Sequence, residues 1–259
     1  MARALSLPAK FLSESEGGGV LQGSASEAVI VAMVAARARA LRITQDESVF
    51  SKLVVYTSTQ AHSSFQKAAR ILGMTMHTLP VNSKQQLEPH TLLQKIEEDR
   101  AAGLHPLFVG ATVGTTSTGA VDPIRQLGEL CNAQGVWLHI DAAYAGSAAV
   151  CPEYRHLIDD VELANSFNFN PHKWLLTNFD CSVFWLDDRR DLLTAMSISR
   201  PYYKNAPSES GQVLDYRDWQ LPLGRRFRAL KLWFVFRCFG TEGLQAHIRR
   251  VRSLACLCC

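Results

Sequence analysis

The sequence predicts an α/β protein built on a mostly parallel central sheet with helices on both faces. Three observations predict it. Short, β-branched apolar runs recur along the chain. Helical patterns separate them, which is how βαβ units read. The runs are apolar throughout rather than alternating, as expected of strands buried on both faces. With 259 residues, 47% of them hydrophobic and 20% charged, the chain has apolar material for a large core.

The elements follow in order. Residues 17–23 are glycine-rich and read as a turn; Ser24 and Glu27 have capping-box spacing before an apolar helix. Residues 53–56 read as a strand, 63–72 as a helix and 75–79 as a strand. Residues 89–102 form a helix with Glu97, Glu98, Asp99 and Arg100 on its wet side. A strand at 106–112, a loop at 114–123, a helix at 123–133 and a strand at 136–140 come next, then strands at 165–169 and 181–186. Residues 227–239 are a strongly apolar helix stopped by Gly240, with another beginning near Glu242.

Charge and termini exclude several classes. A net charge of +3 is too small to argue for nucleic acid or a membrane surface. The late basic residues, Arg225 to Arg252, are interleaved with apolar positions and read as a solvated helix face. The longest apolar run, 28–36, is too short for a bilayer, which needs about 20 residues. Residues 1–12 carry Arg3 and Lys10 but no apolar run long enough to read as a signal peptide. Seven cysteines without paired C-x-x-C spacing support neither a disulfide framework nor a zinc site, so no metal is expected and a cytoplasmic setting fits. The final Cys256-Leu257-Cys258-Cys259 has the outline of a prenylation signal. Cys258 is a poor aliphatic position, so an incidental chain end is favoured.

In a parallel sheet, ligands sit beyond the carboxyl ends of the strands. Four features fall there. Ser24, Ala25 and Ser26 open a helix whose free N–H groups suit a phosphate. His62 follows the strand at 53–56, and Asp141 follows the strand at 136–140 with small residues after it. Lys173 lies in Asn170-Pro171-His172-Lys173-Trp174 after a buried strand, where desolvation would make its amine nucleophilic. Each has an ordinary alternative: a flexible turn, a capping histidine, an N-cap and an exposed lysine packed on Trp174. Together they supply what pyridoxal phosphate needs: a phosphate cradle, an acid, an imidazole and an amine.

The sequence resembles the group II pyridoxal-phosphate-dependent decarboxylases, most of all the aromatic L-amino acid decarboxylases. The motifs that carry the resemblance include residues 18–28, 60–64, 138–148, 166–176 and 218–228, and it spans nearly the whole chain. It implies the fold type I large domain over 1–240 and the start of a small C-terminal domain over 241–259. It also implies that Lys173 forms the internal Schiff base, Asp141 pairs with the pyridine nitrogen and His62 stacks on the ring. Ser24, Ala25, Ser26, Asn170 and His172 would hold the phosphate, and Thr116 and Ala143 would line the ring. Tyr202 matches a mobile-loop tyrosine associated with protonating the substrate Cα, with Tyr203 adjacent.

The activity implied is decarboxylation of aromatic L-amino acids by a homodimer. In plant members a Phe at the Tyr202 position accompanies aldehyde synthesis, so Tyr favours plain decarboxylation. Gly224 matches a position that leans toward tryptophan-type or broad substrates. Against the family the chain is short at both ends, with another short stretch near 44–49, so the alternatives are aldehyde synthesis on the same scaffold and a catalytically silent isoform.

Overall fold

Buried backbone groups must find partners within the protein, because no water reaches them. In the computed structural model, which describes residues 1–198 and 214–257, seven strands meet that need in one sheet. They are β1 (Gly18–Gln22), β2 (Leu53–Ser58), β3 (Thr75–Leu79), β4 (His105–Thr112), β5 (Trp137–Asp141), β6 (Ser166–Phe169) and β7 (Ser182–Leu186). Their spatial order is β1-β7-β6-β5-β4-β2-β3. β2 to β6 pair in parallel, whereas β7 is antiparallel to both β6 and β1. The α/β class and the mostly parallel sheet expected from the sequence are therefore what the chain forms.

Alternation along each strand sorts side chains into two cores. Val54, Tyr56, Leu138, Ile140, Phe167 and Phe169 belong to one cluster. Leu53, Val55, Phe108, Trp137 and Phe184 belong to the other. Helices α1 (Ala25–Thr44), α2 (Ser64–Leu72) and α6 (Arg189–Met196) pack on the second cluster. Helices α3 (Pro89–Ala101), α4 (Ile124–Gln134) and α7 (Arg228–Leu257) contribute to the first, and a short α5 (Pro171–Trp174) follows β6. α7 is two helical stretches broken at Gly240, whose φ 61 and ψ 177 are non-helical, as expected of a first helix stopped there and a second beginning just after it.

Two expectations change. The glycine-rich turn at 17–23 is mostly the edge strand β1, paired residue for residue with β7. Asp99 is not on a wet face but 3% exposed. Leu92, Ile96 and Asp99 recur at helical spacing on the buried side of α3. Buried there, the Asp99 carboxylate accepts the Tyr56 hydroxyl at 2.7 Å and meets Lys95 at 3.1 Å.

Candidate active site

The carboxyl ends of β4, β5 and β6 open on a cavity of about 430 Å³. Nine residues expected from the sequence line it: Ser24, Ala25, Ser26, His62, Thr116, Asp141, Ala143, Asn170 and Lys173. They come from segments far apart in the chain, joined only because parallel strands deliver their ends to one edge.

α1 forms the anion end. Ser24 caps it, its Oγ accepting the Glu27 N–H at 3.2 Å, while Glu27 Oε2 accepts the Gly23 N–H at 2.8 Å. These two hydrogen bonds, a variant of the capping box in which Glu27 reaches the residue before the cap, fix the helix start, so the N–H groups of its first turn are presented at a defined place. Lys67, His62 and Lys173 line the same space, against the single carboxylate of Asp141. An anionic ligand therefore meets favourable charge.

Asp141 ends β5 and is 4% exposed. Its Oδ1 accepts the Ala143 N–H at 3.0 Å and the Asn168 amide at 3.3 Å. Oδ2 accepts nothing among the described residues and is left for a ligand. Ala142 and Ala143 then keep the wall low. Gly114, on the opposite loop, has φ 84, and a Cβ there would stand 2.5 Å from the Ala145 Cβ, so both its backbone and its bareness are required.

His62 is exposed, and its Nδ1 accepts the Ser64 N–H at 3.1 Å, so the capping role weighed as its ordinary alternative is present while the ring lines the cavity. Lys173 is also exposed, so the burial expected to activate it is absent. The single turn of α5, started by Pro171, presents its amine to the open cavity. His172 does not line the cavity. Its Nδ1 accepts the Cys181 N–H at 2.8 Å and its ring packs 4.7 Å from that of Phe179. Tyr202 and Tyr203 lie outside the described residues.

The sequence reading missed Lys67, Thr112, Gly114, Tyr144 and Phe179, which also line the cavity. Thr112 ends β4, so the strand-end rule that found Asp141 applies to it equally. Tyr144 stacks on Trp174 at 5.6 Å and narrows one side.

Pyridoxal phosphate fits this donor set. Thr112 Oγ1 and Asn170 Oδ1 are buried and lack any hydrogen-bond partner, an expensive state unless a ligand supplies one. Among the described residues, no group of three or more His, Cys, Asp or Glu is placed to hold a metal ion.

A family model for the pyridoxal-dependent decarboxylase conserved domain matches residues 1–258. The chain belongs to this family. It is 51% identical over 264 residues to the aromatic-L-amino-acid decarboxylase of Cavia porcellus, covering 98% of this chain and 55% of that one. It is 50% identical over 260 residues to the phenylacetaldehyde synthase of Arabidopsis thaliana, covering 98% and 52% respectively. The fold superposes on Oryza sativa TDC, solved with PLP and tryptamine, with a TM-score of 0.92 and 43% identity over 96% of this chain and 52% of that one. The chain thus spans about half the length of the family members it matches.

Proposed function

We propose that the chain binds pyridoxal phosphate through Lys173 and acts in the decarboxylation of aromatic L-amino acids to amines and carbon dioxide. One observation carries this reading: the amine of Lys173, the carboxylate of Asp141, the ring of His62 and the start of α1 line one cavity.

When bound, pyridoxal phosphate supplies an electron sink for the pair released as carbon dioxide leaves. The chain's own residues do the rest. The first-turn N–H groups of α1, with Ser24 and Ser26, hold the phosphate. Asp141 Oδ2 would accept a hydrogen bond from the protonated ring nitrogen and favour its charged form. His62 offers a flat face beside the ring, and Ala143 leaves room for it. Lys173 would hold the cofactor through its amine, at the place the substrate amine would take. Tyr202 would deliver a proton to the substrate Cα. Tyr144 and Phe179 narrow the access of water.

Thr116 and Asn170 are assigned to the site because they line the cavity, whereas His172 is assigned only on the resemblance, with 1–240 as the cofactor domain and 241–259 as the start of a further one. We place the protein in the cytoplasm as a homodimer. No described helix is long and apolar enough to cross a membrane. Trp233 and Phe234 on α7 are more than half exposed, a surface suited to association.

The test is an assay of the 259-residue chain with added pyridoxal phosphate and a panel of aromatic amino acids. Amine and carbon dioxide in equal amounts are expected. The similarity to an aldehyde synthase favours a second reading on the same scaffold. Peroxide and aldehyde in place of amine would establish that one, and no turnover would leave a silent isoform.

A further inference from the structure

Period-two alternation puts Trp137, His139 and Asp141 on one face of β5 and Ser166 and Asn168 on one face of β6. In the parallel register His139 lies opposite Ser166, and Asp141 opposite Asn168. Five polar side chains thus share a fully buried face, and they form one continuous chain. Trp137 Nε1 donates to Ser166 Oγ at 2.8 Å. Ser166 Oγ lies 2.8 Å from His139 Nδ1, and His139 Nε2 lies 2.8 Å from Asn168 Oδ1. The Asn168 amide reaches Asp141 Oδ1 at 3.3 Å.

Donor and acceptor chemistry fixes every direction in this chain. An ionised Asp141 only accepts, so Asn168 must turn its NH₂ toward it and its carbonyl toward His139. His139 Nε2 must then carry the proton. Nδ1 is left as the acceptor, and the Ser166 hydroxyl donates to it while accepting from Trp137. An Nδ1–H imidazole would set Nε2 and Asn168 Oδ1 lone pair against lone pair. Turning the amide over would set its oxygen against the Asp141 carboxylate.

The surroundings hold the ring neutral. Phe108 stacks on His139 at 5.7 Å, and Phe65 and Phe184 close in at 6.1 and 6.2 Å. Burial in this box pushes the imidazole down to about 4, against the opposing pull of Asp141.

The geometry points to His139 as a positioning residue, fixed as the neutral Nε2–H tautomer, that orients Asn168 to donate to Asp141 Oδ1 and so fixes the carboxylate in place, leaving Oδ2 for the cofactor. The part concerning the cofactor rests on the function proposed above; the tautomer and the amide orientation do not.

The experiment uses the full chain with ¹⁵N-labelled histidine, and His139→Gln identifies the His139 signals. Two-bond proton–nitrogen spectra of the protein without pyridoxal phosphate should show a neutral Nε2–H imidazole, retained in Ser166→Ala because Asn168 Oδ1 still accepts from Nε2. A charged or Nδ1–H imidazole near pH 7 in the unaltered chain overturns the inference. Pyridoxal phosphate binding is then followed by its visible absorbance. His139→Phe, which keeps the ring and removes both nitrogens, should bind at least about tenfold more weakly. His139→Gln, which keeps one donor and one acceptor, should stay within about threefold. Equal weakening in both reduces His139 to packing and overturns its positioning role. If the unaltered chain binds no pyridoxal phosphate, the proposed function fails while the tautomer still decides the relay.

Discussion

The carboxyl edge of β4 to β6 and the face of α7 are opposites. At the edge, polar groups are buried and joined by hydrogen bonds running from His139 through Asn168 to Asp141. On and just before α7, large apolar groups face outward: Phe227 is 75% exposed, Trp233 56% and Phe234 52%. The difference teaches how the work is divided. Holding a cofactor needs fixed donors, and this chain supplies them. The exposed apolar groups have no such role in the site and are the surface on which the proposed association rests.

Substitutions at the two regions should therefore separate cofactor retention from association. Lys173→Ala carries the largest expected effect. It should abolish the borohydride-stable adduct with pyridoxal phosphate, read by mass, while leaving the circular dichroism of the fold intact. Next is Asp141→Asn, expected to lower decarboxylation roughly 10²–10³-fold, because a neutral amide cannot stabilise charge on the ring nitrogen. On the other region, Trp233→Ser with Phe234→Ser should reduce self-association in light scattering and retain the adduct at Lys173. Loss of the adduct in that double variant would mean that the two regions are not separable.

Two smaller effects concern stability. The folded His139 lies at about 4, below its ordinary 6.5. Between those values the unfolded chain takes up a proton that the folded chain refuses. Stability should accordingly fall as pH drops from about 6.5 to about 4, by about 3 kcal/mol from this group. Denaturant midpoints measured across that window check it, and His139→Phe should flatten the slope. Ser24→Ala removes the α1 cap and should cost about 1 kcal/mol, with a weaker hold on phosphate.

Most of the sheet was legible because strands buried on both faces are short apolar runs such as Leu53-Val54-Val55-Tyr56, spaced by helical patterns. β1 was not, because its glycines resemble a loop. They are there for a tertiary reason: a Cβ at Gly18 would stand 2.8 Å from the Trp219 ring, and one at Gly19 would collide with Trp185. Neither tryptophan is a sequence neighbour, so no local pattern reveals the constraint. Asp99 was misplaced for a similar reason. Its partner Tyr56 lies on another strand, and only the fold brings them together.

At the site, the strand-end rule located Asp141 and the segment holding Lys173. It gave no sign of the relay behind them, although histidine, serine and asparagine at alternating positions of buried strands are a readable signal. It also led to the expectation of a buried lysine, whereas Lys173 stands exposed on a single helical turn. Exposure of the free amine is compatible with its role, since a ligand in the cavity would itself remove water from around it.

The central claim is that this chain's own residues build a pyridoxal phosphate site around Lys173. Two lysines, Lys173 and Lys67, line the cavity, so the claim can be put to a choice. The protein is incubated with pyridoxal phosphate, reduced with borohydride, digested and mapped by mass spectrometry. The account predicts the reduced cofactor on the peptide carrying Lys173. Its attachment to Lys67, or to no residue at all, would contradict it.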